Sequence, residues 1–126
     1  MYRKSTALLL FSILLLVACS SATFTYFAET ENWKANLTVT QSSNDYETQE
    51  LRLEYKGNDR KSVGEITYNV DSVGSFGKSG AELNEKGMLT DRSEANPTNA
   101  KVSEHTEVEV TVKWNGKTET FKLNKQ

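Results

Sequence analysis

The chain has 126 residues, a formal net charge of −2, 37% hydrophobic and 25% charged side chains, and one cysteine. That length suits one domain with a single core, and the lone cysteine excludes an intrachain disulfide, a Cys-x-x-Cys redox pair and a cysteine-rich zinc site. A mildly acidic balance argues against nucleic acid or anionic lipid as the principal ligand, although a local basic patch is compatible with it.

The first segment, MYRKSTALLLFSILLLVACSS, opens on Arg3 and Lys4 and continues as an apolar run from Ala7 to Ala18, broken only by Ser12. Such a run is short for a helix that must cross about 30 Å of hydrocarbon, and the arrangement is that of a signal peptide. It ends in Leu16-Val17-Ala18-Cys19, which resembles the lipobox of bacterial lipoproteins, where small residues precede an obligatory cysteine. The resemblance implies a diacylglyceryl group on the Cys19 thiol and cleavage before it. Residues 1–18 would then be leader, 19–22 a lipid-anchored tether and 23–126 the domain. Two acyl chains anchor stably where one holds only marginally, so the product is expected on the extracytoplasmic face of the cell membrane. Without Arg3 and Lys4 its formal charge moves from −2 to −4. Only SSAT separates Cys19 from the alternation Phe24, Tyr26, Ala28; four extended residues reach at most about 14 Å, which keeps the domain close to the bilayer.

From there the apolar period is two rather than 3.6. Trp33, Ala35, Leu37 and Val39 alternate with polar residues, as do Leu51, Leu53 and Tyr55, and then Ile66, Tyr68 and Val70. One dry and one wet face per strand favours an antiparallel sheet.

The next stretch, SVGSFGKS from Ser72 to Ser79, is a near-match to a phosphate-binding loop in which Ser72 replaces the first glycine. A phosphate cradle also needs a helix whose N-terminus faces the phosphates. GAELNEKGMLTD leaves no room for one, so Ser72–Gly80 is expected to be a flexible connection between sheets, with no nucleotide bound. GAEL-NEKG-MLTD reads as a hairpin with Gly87 in the left-handed position. DRSEANPTNAKVSEH holds the only proline, Pro97, lacks apolar rhythm and is expected to be a long loop.

The C-terminal segment HTEVEVTVKW-NG-KTETFKLNK predicts a two-residue type I′ turn at Asn115-Gly116. That turn pairs Trp114 with Lys117, sets Val110 opposite Phe121 and Val108 opposite Leu123 on one face, and Glu109 opposite Lys122 and Thr111 opposite Thr120 on the other. Seven or so short strands without helical period predict an all-β, antiparallel, two-sheet immunoglobulin-like sandwich, with a small β-barrel as the alternative. ENWKANLTV, LRLEYKGNDRKSVGEITYNV, LNEKG and VEVTVKWNGKTETFKL together resemble small lipoproteins of Gram-positive, Bacillus-type bacteria. That resemblance implies a lipid-anchored β-sandwich of no established activity and transfers no functional residue except Cys19.

Residues able to do chemistry are few. His105 is the only histidine, and no serine lies in a Gly-x-Ser-x-Gly elbow, so neither a nucleophile nor an orienting acid can be assigned to it. One histidine with Glu104 and Glu107 is a poor zinc set, and no Asp-x-Asp-x-Asp-Gly calcium loop occurs, although Asp91 and Glu94 offer oxygen ligands. Among rings able to stack on sugars, Trp33 takes the inward phase of its strand, Trp114 is expected half-exposed beside its turn, and Tyr46 is uncommitted. No cofactor and no catalytic residue is assigned. The expectation is a non-enzymatic envelope lipoprotein, held to the membrane through Cys19, that contacts an envelope protein or wall component. Its contact loops would be Ser72–Gly80, through Ser75, Phe76 and Lys78, and Asp91–Ala100, through Arg92 and Asn96. A protective or immunity lipoprotein, and a small envelope hydrolase using carboxylates or His105, are the alternatives.

Overall fold

Alternation of apolar and polar residues gives each strand one side to bury, and the strands satisfy their backbones only by lying next to one another. The structure, a computed structural model, describes residues 21–42, 46–95 and 101–126; the leader, Cys19 and Asn96 lie outside them. Its strands are β1 (Ala22–Glu29), β2 (Trp33–Gln41), β3 (Glu47–Tyr55), β4 (Glu65–Asp71), β5 (Ser75–Glu82), β6 (Met88–Ala95), β7 (Val108–Trp114) and β8 (Lys117–Lys125), with a short 3-10 turn at Arg60–Ser62. The alternation Phe24, Tyr26, Ala28 joins the domain as β1, which starts at Ala22.

Every pairing is antiparallel, and the strands form one sheet in the order β5-β4-β7-β8-β1-β2-β3-β6. Two separate sheets, as in a sandwich, would need a break in this order. Instead β1 pairs β2 from Ala22 to Glu29 and also pairs β8 through Tyr26 and Phe27, which joins the two halves. The sheet curls until its two edge strands, β5 and β6, meet at one turn, so the barrel alternative describes the fold and the sheet is nearly closed. Inward-facing Trp33, Leu37, Leu51, Ile66, Val70 and Val110 fill the interior and are essentially inaccessible to water.

The C-terminal hairpin has the predicted register at each pair from Trp114↔Lys117 to Val108↔Leu123. Asn115 (φ 47°) and Gly116 (φ 71°) take the left-handed conformation that a type I′ turn demands. Trp114, however, is 4% exposed rather than half-exposed. Its ring meets Trp33 edge-on at 5.3 Å, across the barrel end, a contact that the hairpin alone could not reveal.

The strand connections form two rims. One, the N-terminal rim, carries the start of β1, the β2–β3 connection, the Ser72–Gly74 turn and the segment leading into β7. Here Glu47, 4% exposed, accepts hydrogen bonds from Gln41 Nε2 (3.0 Å), Gln49 Nε2 (2.9 Å) and the Val102 N–H (3.1 Å), and buried Val102 plugs the opening. The opposite rim carries the β1–β2 turn, Arg60–Ser62, the β5–β6 turn and Asn115-Gly116. It is knit by Asn115 Nδ2 to the Ser62 carbonyl (2.6 Å), Asn32 Nδ2 to Glu119 (2.7 Å) and Arg60 to the Glu85 carbonyl (3.2 Å).

Candidate functional site

The segment expected to be a flexible loop is mostly strand. Only Ser72–Gly74 turn, closed by the Ser72 N–H on the Gly74 carbonyl (2.8 Å) and the Asp71↔Ser75 pair. Ser75 to Glu82 then runs as β5 along β4, with Val70 opposite Phe76 and Tyr68 opposite Lys78. Gly77 is required for a reason unrelated to turns: a Cβ there would lie 2.1 Å from the Tyr68 carbonyl oxygen. Between Lys78 and Ala81 the ladder slips, β5 advancing three residues while β4 advances two, and Gly80 takes φ 65° in the resulting bulge. The residues that matched a phosphate loop, Gly77 to Ser79, therefore lie in extended chain that continues to Glu82. Gly77→Ala is expected to lower stability by about 2 kcal/mol, since it overpacks backbone against backbone. Urea denaturation checks this, and a variant as stable as the parent would contradict the close approach.

The β5–β6 connection has the predicted turn without the predicted hairpin. The Asn84 N–H bonds the Met88 carbonyl (2.8 Å), the Gly87 N–H bonds the Asn84 carbonyl (2.9 Å), and Gly87 takes φ 76°. Beyond the turn the strands part, and among the described residues β5 pairs only with β4 and β6 only with β3. The sequence could show a good turn but not that each flank had a better partner elsewhere. The expected loop from Asp91 is likewise corrected, because Asp91–Ala95 pairs with β3 as the end of β6.

Between the two unpaired edges lies a groove of about 610 Å³, lined by Tyr68, Lys78, Gly80, Ala81, Glu82, Asn84 and Met88–Asp91. Lys78 stands opposite Tyr68, and Asp91 opposite Leu51, so both charged residues take the inward phase of their strands. Inward charges and a bulge are devices that keep edge strands from pairing indiscriminately. The groove thus has an apolar floor of Ala81 and half-buried Leu89, the ammonium of Lys78, and two carboxylates, Asp91 on its inward phase and exposed Glu82 at its margin. Among the described residues Lys78 has no ion-pair partner. The Tyr68 hydroxyl donates to Asp91 Oδ2 and so bridges β4 to β6 across the seam.

This bridge carries a pH signature. Burial first, then the hydrogen bond and charge of Asp91, push the Tyr68 phenol above its ordinary value of 10.0. Burial and the Glu47 carboxylate push Tyr26 the same way. A raised folded-state value means that stability is fully present below the unfolded value near 10 and is lost as pH rises above it. Base titration of the unfolding free energy should therefore fall above about pH 10, with a shallower fall in Tyr68→Phe; identical slopes would remove the bridge as its cause.

Other expected contact residues fall elsewhere. Ser75 and Phe76 are on β5, and Phe76 packs half-buried against the core. Arg92 points to the outer face, pairs with Glu94 (3.1 Å) and borders a shallow depression with Thr38, Thr40, Thr48 and Glu50. Of the five, the structure brings Lys78 to the groove; Asn96 lies outside the described residues. His105 is in a turn ahead of β7, its side chain 87% exposed beside Glu104 (3.4 Å). Trp33 is wholly buried, while Tyr46 is 39% exposed and donates its hydroxyl to Glu94 (2.6 Å). Among the described residues no group of three or more His, Cys, Asp or Glu could hold a metal ion, and no helix is long and apolar enough to cross a membrane. Sequence reading missed Asp91 and Tyr68 as groove residues, although Asp91 is two residues after Leu89, on the apolar phase of its strand. No protein-family model, curated protein or solved structure matches the chain.

Proposed function

We propose that this protein is a non-enzymatic, lipid-anchored module of the cell envelope whose contact site is the β5–β6 seam. The observation that carries the reading is the pair of strand edges that have no ladder partner among the described residues, on either side of a groove whose Lys78 ammonium has no ion-pair partner among them. Unpaired edges recognise extended polypeptide through main-chain hydrogen bonds, while side-chain pockets provide selectivity. An extended segment of another envelope protein, with a carboxylate facing Lys78, fits that chemistry. The anchoring half of the reading rests on the basic start, apolar run and Leu16-Val17-Ala18-Cys19.

Two experiments test it. A photo-crosslinker placed in living cells at groove residue Glu82 should capture a defined species, which Lys78→Glu diminishes. The same crosslinker at Lys113, exposed on the far side of β7, should not capture it. Equal patterns from both positions would refute the seam. Labelled fatty acid should enter the parent protein and not Cys19→Ala; equal incorporation would refute the anchor.

A further inference from the structure

We infer that the barrel stands end-on to the bilayer, its N-terminal rim against the lipid and its β5–β6 turn pointing away. The inference rests on the lipid-anchor reading and adds the surface through which the folded domain meets the membrane. Strand β1 starts at Ala22, so Ser20 and Ser21 alone separate it from Cys19. Three residue steps span no more than about 11 Å, which confines the rim where β1 begins to the headgroup region whenever Cys19 is acylated.

That rim is also where exposed apolar side chains are found. Among the described residues the exposed large hydrophobics are Tyr46 (39%) and Val73 (36%). Single exposed apolar residues are ordinary; the informative point is position. Tyr46 ends the β2–β3 connection and Val73 tips the β4–β5 turn, and both connections lie on the rim where β1 starts. A tyrosine ring and a valine at headgroup depth match the amphipathic and apolar character of that layer. In this pose the seam rises away from the membrane and its groove opens toward the envelope.

The molecule contains its own control. Both native tryptophans are at the opposite rim, Trp33 opening β2 and Trp114 closing β7. Full-length lipidated protein would be reconstituted into phosphatidylglycerol–phosphatidylethanolamine vesicles with brominated acyl chains, and emission compared with unbrominated vesicles. The parent should lose no emission. Val73→Trp and, independently, Tyr46→Trp should each lose the added part of theirs, while Lys61→Trp on the opposite rim should retain it. Mass spectrometry of the same samples reports acylation of Cys19. Acylated protein in which positions 73 and 46 are unquenched, or in which position 61 is quenched as much, would overturn the orientation and leave the anchor intact. Absence of acyl chains would overturn both.

Discussion

Trp33→Ala is expected to lower the unfolding free energy by about 3–5 kcal/mol, enough to unfold a substantial fraction of a domain of ordinary stability. The indole is 0% exposed and meets Tyr55 edge-on at 5.2 Å and Trp114 at 5.3 Å, so truncation leaves a cavity bordered by two rings that cannot both collapse into it. Trp33→Phe should cost much less. It keeps a ring in the cluster and removes the indole N–H, which is buried and has no hydrogen-bond partner among the described residues; leaving such a donor unpaired costs about 1–3 kcal/mol. Urea denaturation followed by far-ultraviolet circular dichroism separates the variants without depending on tryptophan emission. Equal losses for Ala and Phe would show that ring packing is not what Trp33 contributes.

Glu47→Ala is expected to cost about 3–4 kcal/mol, through loss of charge-assisted bonds and exposure of buried donors to a site that cannot solvate them. The carboxylate takes Gln41 and Val102 on one oxygen and Gln49 on the other. Gln41 also donates to the Val102 carbonyl (2.5 Å), and the Tyr26 hydroxyl to the Ser103 carbonyl (2.8 Å). These bonds draw the segment ahead of β7 over the N-terminal rim and seat Val102 in the opening. Amide hydrogen exchange gives a reading that general destabilisation would not: protection at Val102 should fall further than at Leu37, in the middle of β2. Glu47→Gln should lie between parent and alanine variant, since an amide keeps one acceptor oxygen and sets an NH2 against a donor. Unchanged protection at Val102 in Glu47→Ala would contradict the role of the carboxylate.

If the barrel stands on its N-terminal rim, these two clusters serve different ends of the molecule. The tryptophan pair stabilises the rim that would then point away from lipid, where the β5–β6 turn holds the seam together. The Glu47 network closes the opposite rim, which would lie against it. A partner strand would enter the seam between them, over Tyr68 and Asp91, whose hydrogen bond keeps β4 and β6 in position without a strand ladder.

Much of this was legible along the chain. Asn115-Gly116 requires two left-handed residues in succession, so the turn type, and with it the pairing of Val108 with Leu123, each six residues along its strand from the flanking pair Trp114 and Lys117, follows from local chemistry. Alternation identified the buried face of β2, β3, β4, β7 and β8, because a strand that buries one face shows period two wherever it is. Sequence reading passed over Glu47, in phase with Leu51 and Leu53, and Asp91, in phase with Leu89; a polar residue at an inward position was the available signal for both.

Strand β5 was not legible. Its glycines and serines read as a loop, whereas Gly77 answers to the closeness of the Tyr68 carbonyl and Gly80 to a bulge, both properties of a neighbouring strand. The chain by itself determined an all-β antiparallel domain, its dry faces and its last hairpin, since those depend on residues within one or two strands. Whether the strands make two sheets or one nearly closed barrel was decided only in three dimensions. It depends on β1 finding both β2 and β8, and on β5 and β6 preferring β4 and β3 to each other. Period two states which side of a strand is buried and is silent about which strand lies next to it.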